Sequence, residues 1–227
     1  MTKHFIKNGR LGFVPPEIDD YAAAMSAPET ELRKKLAAET RKKLKDDAVM
    51  MIGPNEAAML QVLIRATQAK LVVEVGTFTG YSSIAMQEVL PVGGRIFTFE
   101  ACEVHVNIAE RYFGESNAVL GATSILEFGD AHWILKHFGS NHPELHFDLA
   151  FIDAEKTGYI DYWRKCKALV RQGGLLIADN TLSHFRKRPN DQDGKAIHEF
   201  NQFVRKDRDV HVAFTTIRDG MTIAFKK

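Results

Sequence analysis

Two cysteines, Cys102 and Cys166, give neither the paired spacing of a zinc site nor enough thiols for a disulfide scaffold. No apolar run approaches the roughly 20 residues needed to cross a bilayer. The opening MTKHFIKNGR lacks the apolar stretch of a signal peptide. Charge of one sign is also missing: 30 Lys and Arg face 29 Asp and Glu, a net charge of +1. Nothing global therefore points to nucleic acid or to a membrane surface. Repeats and low-complexity tracts are absent. The expectation from these absences is a cytoplasmic protein with reduced, inert, buried thiols. With 227 residues, 45% of them hydrophobic, the chain suits one domain with a good core.

Residues 1–28, with Gly9, Gly12 and Pro15-Pro16, read as an irregular arm, and residues 29–227 as the domain proper. ETELRKKLAAETRKKLK, residues 29–45, puts Leu32, Leu36 and Leu44 on one helical stripe and its basic residues on a solvated face. GPNEAAMLQVLIRAT, residues 53–67, predicts a helix with Pro54 in its first turn. The period then shortens. LVVEVG (71–76), RIFTFE (95–100), FDLAFID (147–153) and GLLIADN (174–180) are strand-like, and TSILEFGD (123–130) is a weaker member. Helical segments such as SSIAMQEVL and YIDYWRKCKALV separate them, which predicts a parallel sheet with helices on both faces. At the end, VHVAFTTIR and MTIAFKK flank Asp219-Gly220, the signature of an antiparallel hairpin.

In an open α/β sheet, ligands bind beyond the carboxyl ends of the strands. Glu74, Glu100, Asp130, Asp153 and Asp179 all fall at or near such ends. The first loop, VEVGTFTGYSS, spaces Gly76 and Gly80 as G-x-x-x-G and lacks the third glycine of a dinucleotide site. Glu100 follows Gly80 by 20 residues, where a carboxylate can accept bonds from both ribose hydroxyls. The pair suits a nucleoside without a pyrophosphate. Asp153, Asp179 and Asn180 offer only oxygen, a donor set for magnesium, calcium or manganese; the bland alternative is a set of Asx-turns and helix caps. His132, His137, His142 and His146 are spaced too unevenly for one helical face and predict no zinc site. Trp133 and Trp163 read as core or interface residues.

EVGTFTGYSS, FIDAEKTGY, GGLLIADNT and DGMTIAF, in that order, resemble the metal-dependent O-methyltransferases of the caffeoyl-CoA and catechol type, over roughly residues 30–227. The resemblance implies a Rossmann-like class I methyltransferase, with a mostly parallel seven-stranded sheet closed by the antiparallel hairpin. It implies transfer of a methyl group from S-adenosylmethionine to a hydroxyl of a vicinal aromatic diol. Carried over position by position, Glu74 would hold the methionine end of the cofactor through the Gly76–Thr77 backbone and Ser82. Glu100 would take the ribose, and Ala131 would lie by the adenine. Ile52 would meet the cofactor's carboxylate end. Asp153 and Glu155 would complete the cofactor's surroundings, Glu155 standing where relatives carry a second aspartate.

Asp153, Asp179 and Asn180 would hold the metal, their hard oxygen donors suiting magnesium, and Lys156 would be the general base. Lys156, Asn180 and His184 would face the acceptor; plant enzymes have tryptophan and asparagine where this chain has Ser183 and His184, which argues against a plant-like phenylpropanoid acceptor. Arg186, Lys187 and Arg188 would border that pocket on a solvated loop. A free phenol ionises near pH ~10. A cation at its oxygen favours the anion, and the same cation favours the neutral lysine that must take the proton. The resemblance also implies a homodimer. Rival readings are methylation of a hydroxylated tRNA base, a cofactor-binding module without catalysis, and an NAD-linked oxidoreductase. The neutral charge counts against the first, retention of Lys156 with the metal trio against the second, and the missing glycine against the third.

Overall fold

The computed structural model describes residues 5–7, 10–186 and 190–227. Before the main sheet come β1 (Phe5–Lys7) and β2 (Arg10–Gly12), which pair antiparallel, then α1 (Pro16–Met25), α2 (Glu31–Leu44) and α3 (Pro54–Thr67). Strands and helices then alternate: β3 (Leu71–Val75), α4 (Tyr81–Gln87), β4 (Arg95–Glu100), α5 (Glu103–Val119), β5 (Thr123–Phe128), α6 (Ala131–Asn141), β6 (Phe147–Ile152), α7 (Tyr159–Leu169) and β7 (Val170–Asp179). The chain ends with α8 (Gln192–Arg205), β8 (Val210–Thr215) and β9 (Met221–Lys226).

The seven strands lie in the order β5-β4-β3-β6-β7-β9-β8. The first five are parallel, and β9 runs antiparallel between β7 and β8. Strands β3 and β6 are apolar at every position but one each, Glu74 and Asp148, because both faces of the sheet are covered. Val72, Leu149 and Phe151 pack on one side with Leu60, Ile84 and Tyr112. Val73, Val75, Ala150 and Ile152 pack on the other with Leu135, Trp163 and Phe200. Edge strand β5 is largely exposed, which explains its weaker hydrophobic pattern. No helix among the described residues is long and apolar enough to cross a membrane.

The class predicted for the fold is the one observed, with local differences. Within the arm, Pro16–Met25 is helical and not irregular: Pro16 needs no N–H partner at the start of a helix, and Ala22–Ala24 favour continuing it. None of α1 is buried, and Ile18, Tyr21 and Met25 form an exposed stripe. The basic face of α2 is not wholly solvated. Arg33 is buried, paired to Glu88 at 3.0 Å and bonded to the Pro28 carbonyl at 3.2 Å, with its guanidinium over the Tyr81 ring. Trp163 is core, whereas Trp133 is 61% exposed. Cys166 is buried but Cys102 is only half-buried.

Trp163 donates its indole N–H to Asp207 at 3.2 Å and meets Phe200 edge-on, with ring centroids 5.5 Å apart. Trp163→Ala would empty the centre of the α7–α8 layer. It is expected to cost about 3–5 kcal/mol, read from the shift in urea midpoint at constant slope.

Candidate active site

Strand order reverses at β3, so the crevice between the ends of β3 and β6 is the place for a ligand. The two strands stay in register to the rim, where the Asp153 N–H donates to the Val75 carbonyl at 2.8 Å. Gly76 follows at φ +95°. A Cβ added there would stand 2.1 Å from the Asp153 carbonyl oxygen, so no side chain fits this approach. The N–H groups of Gly76 and Thr77 both donate to the Phe99 carbonyl, at 3.2 and 3.1 Å.

Glu74 shares a sheet face with Val72 and lies fully buried beneath the first turn of α4. It accepts hydroxyl bonds from Ser82 at 2.5 Å, from Thr98 at 2.7 Å and from Ser83. Burial pushes its pKa up to about 7; the three hydroxyls oppose the rise and the charge of Asp153 adds to it. Glu74 thus anchors the turn through Ser82. Ser83 and Thr98, which sequence reading passed over, are equal partners in that anchor. Glu100 also braces the loop, accepting from the backbone N–H of Phe78 at 2.8 Å and of Cys102 at 2.9 Å.

Asp130 proves to be a helix cap, accepting from the Trp133 N–H at 2.8 Å, which sets Ala131 at the first position of α6. Glu155 turns to this side of the crevice. It bonds His132 Nε2 at 2.9 Å and accepts from the Tyr162 hydroxyl, while His132 stacks on Tyr162 with centroids 4.3 Å apart. Asp161 takes the other His132 nitrogen at 2.5 Å. His132 and His137 have separate partners, His137 bonding the Trp133 carbonyl at 2.8 Å.

On the β6 side, Lys156 Nζ lies 3.0 Å from Asp153 Oδ1 and donates to the Tyr159 hydroxyl at 2.7 Å. That hydroxyl donates to the Asp179 carbonyl at 3.0 Å, which joins the ends of β6 and β7. Asp179 is fully buried and accepts the Asn180 N–H at 2.8 Å. Two acids that sequence reading did not place here join it: the ligand oxygens of Glu56, Asp179 and Asp219 all lie within 4.8 Å of one another. Burial raises the pKa of Asp179 well above the usual carboxylate range, and the charges of Glu56, Asp153 and Asp219 raise it further. Arg218 bonds Glu56 at 2.9 Å and the carbonyls of Val49 and Met51 at 2.9 and 3.3 Å, which ties the hairpin to the segment carrying Ile52. In the sequence Glu56 marks a helix start, and Asp219 a hairpin turn that opens the motif DGMTIAF.

His184 lies in the short 3-10 turn Ser183–Arg186 against α8, with ring centroids 4.0 Å from Phe185 and 5.3 Å from His198. Burial, then the neighbouring His198, lowers its pKa. Lys187, Arg188 and the Arg186 side chain lie outside the described residues.

A switch-point crevice with a glycine turn pressed against its far wall, on a sheet of this order, defines a class I S-adenosylmethionine-dependent methyltransferase. The chain belongs to the O-methyltransferase family, whose model matches residues 23–227. It is 34% identical over 150 residues to a catechol O-methyltransferase of Niastella koreensis, covering 65% of this chain and 62% of that one. With a caffeoyl-CoA O-methyltransferase of Populus kitakamiensis it shares 28% over 214 residues, 89% of each chain. Among solved structures, an O-methyltransferase from Streptomyces achromogenes involved in tomaymycin synthesis, in complex with SAM, superposes with a TM-score of 0.80. It is 26% identical, over 93% of this chain and 96% of that one. The protein is an S-adenosylmethionine-dependent O-methyltransferase of the caffeoyl-CoA and catechol type.

The raised pKa of Glu74 has a sign that can be checked. Between its unfolded value near 4.5 and about 7, the folded state holds the extra proton, so Glu74 stabilises the fold below this window and that contribution is lost as pH rises through it. A shift of this size corresponds to about 3 kcal/mol. Glu74→Gln is expected to flatten that part of the stability profile, measured by denaturant melts in chelator from pH 4 to 8.

Proposed function

We propose that this enzyme is a divalent-metal-dependent O-methyltransferase acting on a hydroxyl of a catechol-like, vicinal dihydroxy aromatic small molecule. The observation that carries the reading is the acid cluster at the crevice: the ligand oxygens of Glu56, Asp179 and Asp219 lie within 4.8 Å of one another, and the nearby charge of Asp153 adds to the rise in the pKa of Asp179. Oε1 of Glu56 is buried without a hydrogen-bond partner. Three buried carboxylates so close repel one another when ionised, and a divalent cation would relieve that repulsion. The donors are all oxygen, so magnesium fits, as do manganese and calcium. The names of the catechol and caffeoyl-CoA relatives support the aromatic acceptor.

Asp153, Asp179 and Asn180 would hold the cation, which would supply positive charge where a bound hydroxyl is to ionise. The remaining work belongs to the chain. The Gly76–Thr77 backbone, braced by Glu74 and Glu100, would seat the methyl donor beside Asp153; Ile52, Ala131 and Glu155 line the same crevice in this reading. Lys156 must shed its own proton before it can take one from the acceptor. Asp153 pairs with its Nζ at 3.0 Å, and a cation engaging Asp153 would compete for that carboxylate. Tyr159 holds Nζ at the rim, so the base is positioned in advance. His184 and the turn around it would bound the acceptor, and fixed placement of acceptor oxygen and methyl carbon can account for roughly 7–11 kcal/mol of the barrier.

The reading is tested by a methyl-transfer screen against catechols, catechol-acid thioesters, flavonoids and bulk tRNA. Transfer to the first three classes should vanish in excess EDTA and return with magnesium or manganese, and Asp179→Ala should mimic the chelator. Full activity in EDTA after dialysis would sink the metal; methylation of tRNA alone would sink the acceptor.

Lys156→Met is expected to lower turnover by about 10²–10⁴-fold while leaving S-adenosylmethionine affinity nearly unchanged. Its residual rate should keep climbing with pH as hydroxide replaces the base. An unaltered pH profile at wild-type turnover would remove Lys156 from the chemistry.

A further inference from the structure

The turn between β8 and β9 reaches back to the end of β7. Thr181 and Leu182 donate their N–H groups to the carbonyls of Gly220 and Asp219, both at 2.9 Å. Between these anchors and the end of the strand, Asn180 adopts φ +56°, a left-handed conformation that asparagine tolerates better than most residues. Its side-chain Nδ2 lies 3.0 Å from Asp219 Oδ1 and 3.2 Å from Asp179 Oδ2. Ionised carboxylates only accept, so the NH₂ end of the amide must face them and the oxygen must point elsewhere. That oxygen is the one atom an asparagine can offer to a hard cation.

The two acids are not equivalent in this. Asp179 is itself a ligand in the metal reading, so its oxygens have to turn toward the ion. Asp219 then remains to hold the amide. It is fully buried on a tip that cannot easily shift, because the adjacent Arg218 is fastened to Glu56 and to the Val49 and Met51 carbonyls.

We propose that Asp219 is a positioning residue for Asn180: by accepting from Nδ2 it locks the amide in the rotamer that presents Oδ1 to the divalent cation. This rests on the metal reading above. Outer-shell partners of this kind typically change metal affinity by about 10–100-fold when removed.

The test is Mn²⁺ binding to the full-length protein with S-adenosylmethionine, followed by the electron paramagnetic resonance of free Mn²⁺, which reads occupancy without turnover. Asp219→Ala should weaken binding by about 10–100-fold. Asp219→Asn keeps an oxygen that can accept from Nδ2, and should stay within about threefold of wild type, roughly 0.7 kcal/mol. In an Asn180→Ala background, Asp219→Ala should have little further effect, since the amide it positions is gone. Wild-type affinity in Asp219→Ala would overturn the proposal. So would an equal loss in the Asn180→Ala background, or a loss in Asp219→Asn as large as in Asp219→Ala, either of which makes Asp219 a charge and not an acceptor. Melting in chelator checks folding, and if Asp219→Ala does not fold, the Asp219→Asn measurement still decides against the proposal when affinity collapses. Absence of Mn²⁺ binding by the wild type would instead sink the metal reading itself.

Discussion

The contact on which the site depends is the approach of the Gly76 backbone to the Asp153 carbonyl. Two parallel strands diverge at a switch point, and normally the loops leaving them diverge too. Here the Val75–Asp153 hydrogen bond carries the pairing to the rim, and glycine lets the loop stay pressed against it. The surface proposed for the methyl donor and the acid proposed for the metal thereby become neighbours through the main chain. Side chains can then be positioned from a fixed wall: Lys156 is one short turn beyond Asp153, and Tyr159 bridges from it to the end of β7.

A second constraint is electrostatic. Burying Glu74 is tolerated because three hydroxyls satisfy it and because it can hold a proton. Asp179 is buried among acids, which raise its pKa as burial does, while Arg218 opposes the rise. The protein therefore keeps two kinds of buried carboxylate on the same sheet face. One is quenched by hydrogen bonding and serves the loop; the other is left hungry for positive charge.

Much of this was legible in the sequence, because the determinants are local. Alternating periods gave the strands and helices, Asp219-Gly220 gave the terminal hairpin, and the acids at strand ends gave the location of the crevice. What escaped was set by tertiary partners. Arg33 looks like any basic residue of an amphipathic helix until Glu88 and Tyr81 are folded onto it. Asp130 has the same strand-end position as Asp153, yet a free N–H at Trp133 makes it a cap. Glu56 and Asp219 each have an adequate local reason to exist, as a helix start and a turn, and nothing nearby in the chain reveals that they meet. Glu155 reads from the sequence as a neighbour of the cofactor, and nothing local shows that its carboxylate also meets His132 and Tyr162.

The acidic cluster joins residue 56 to residue 219 of a 227-residue chain, and the strand that brings the second of these home is inserted between two others. Contacts of such sequence separation form late, after the entropy of closing the long intervening loop has been met. A nascent chain emerging from the ribosome would therefore display a finished cofactor turn before it had any complete nest of acids. The cluster is thus completed by the docking of the terminal hairpin, after the parallel core that carries the glycine turn.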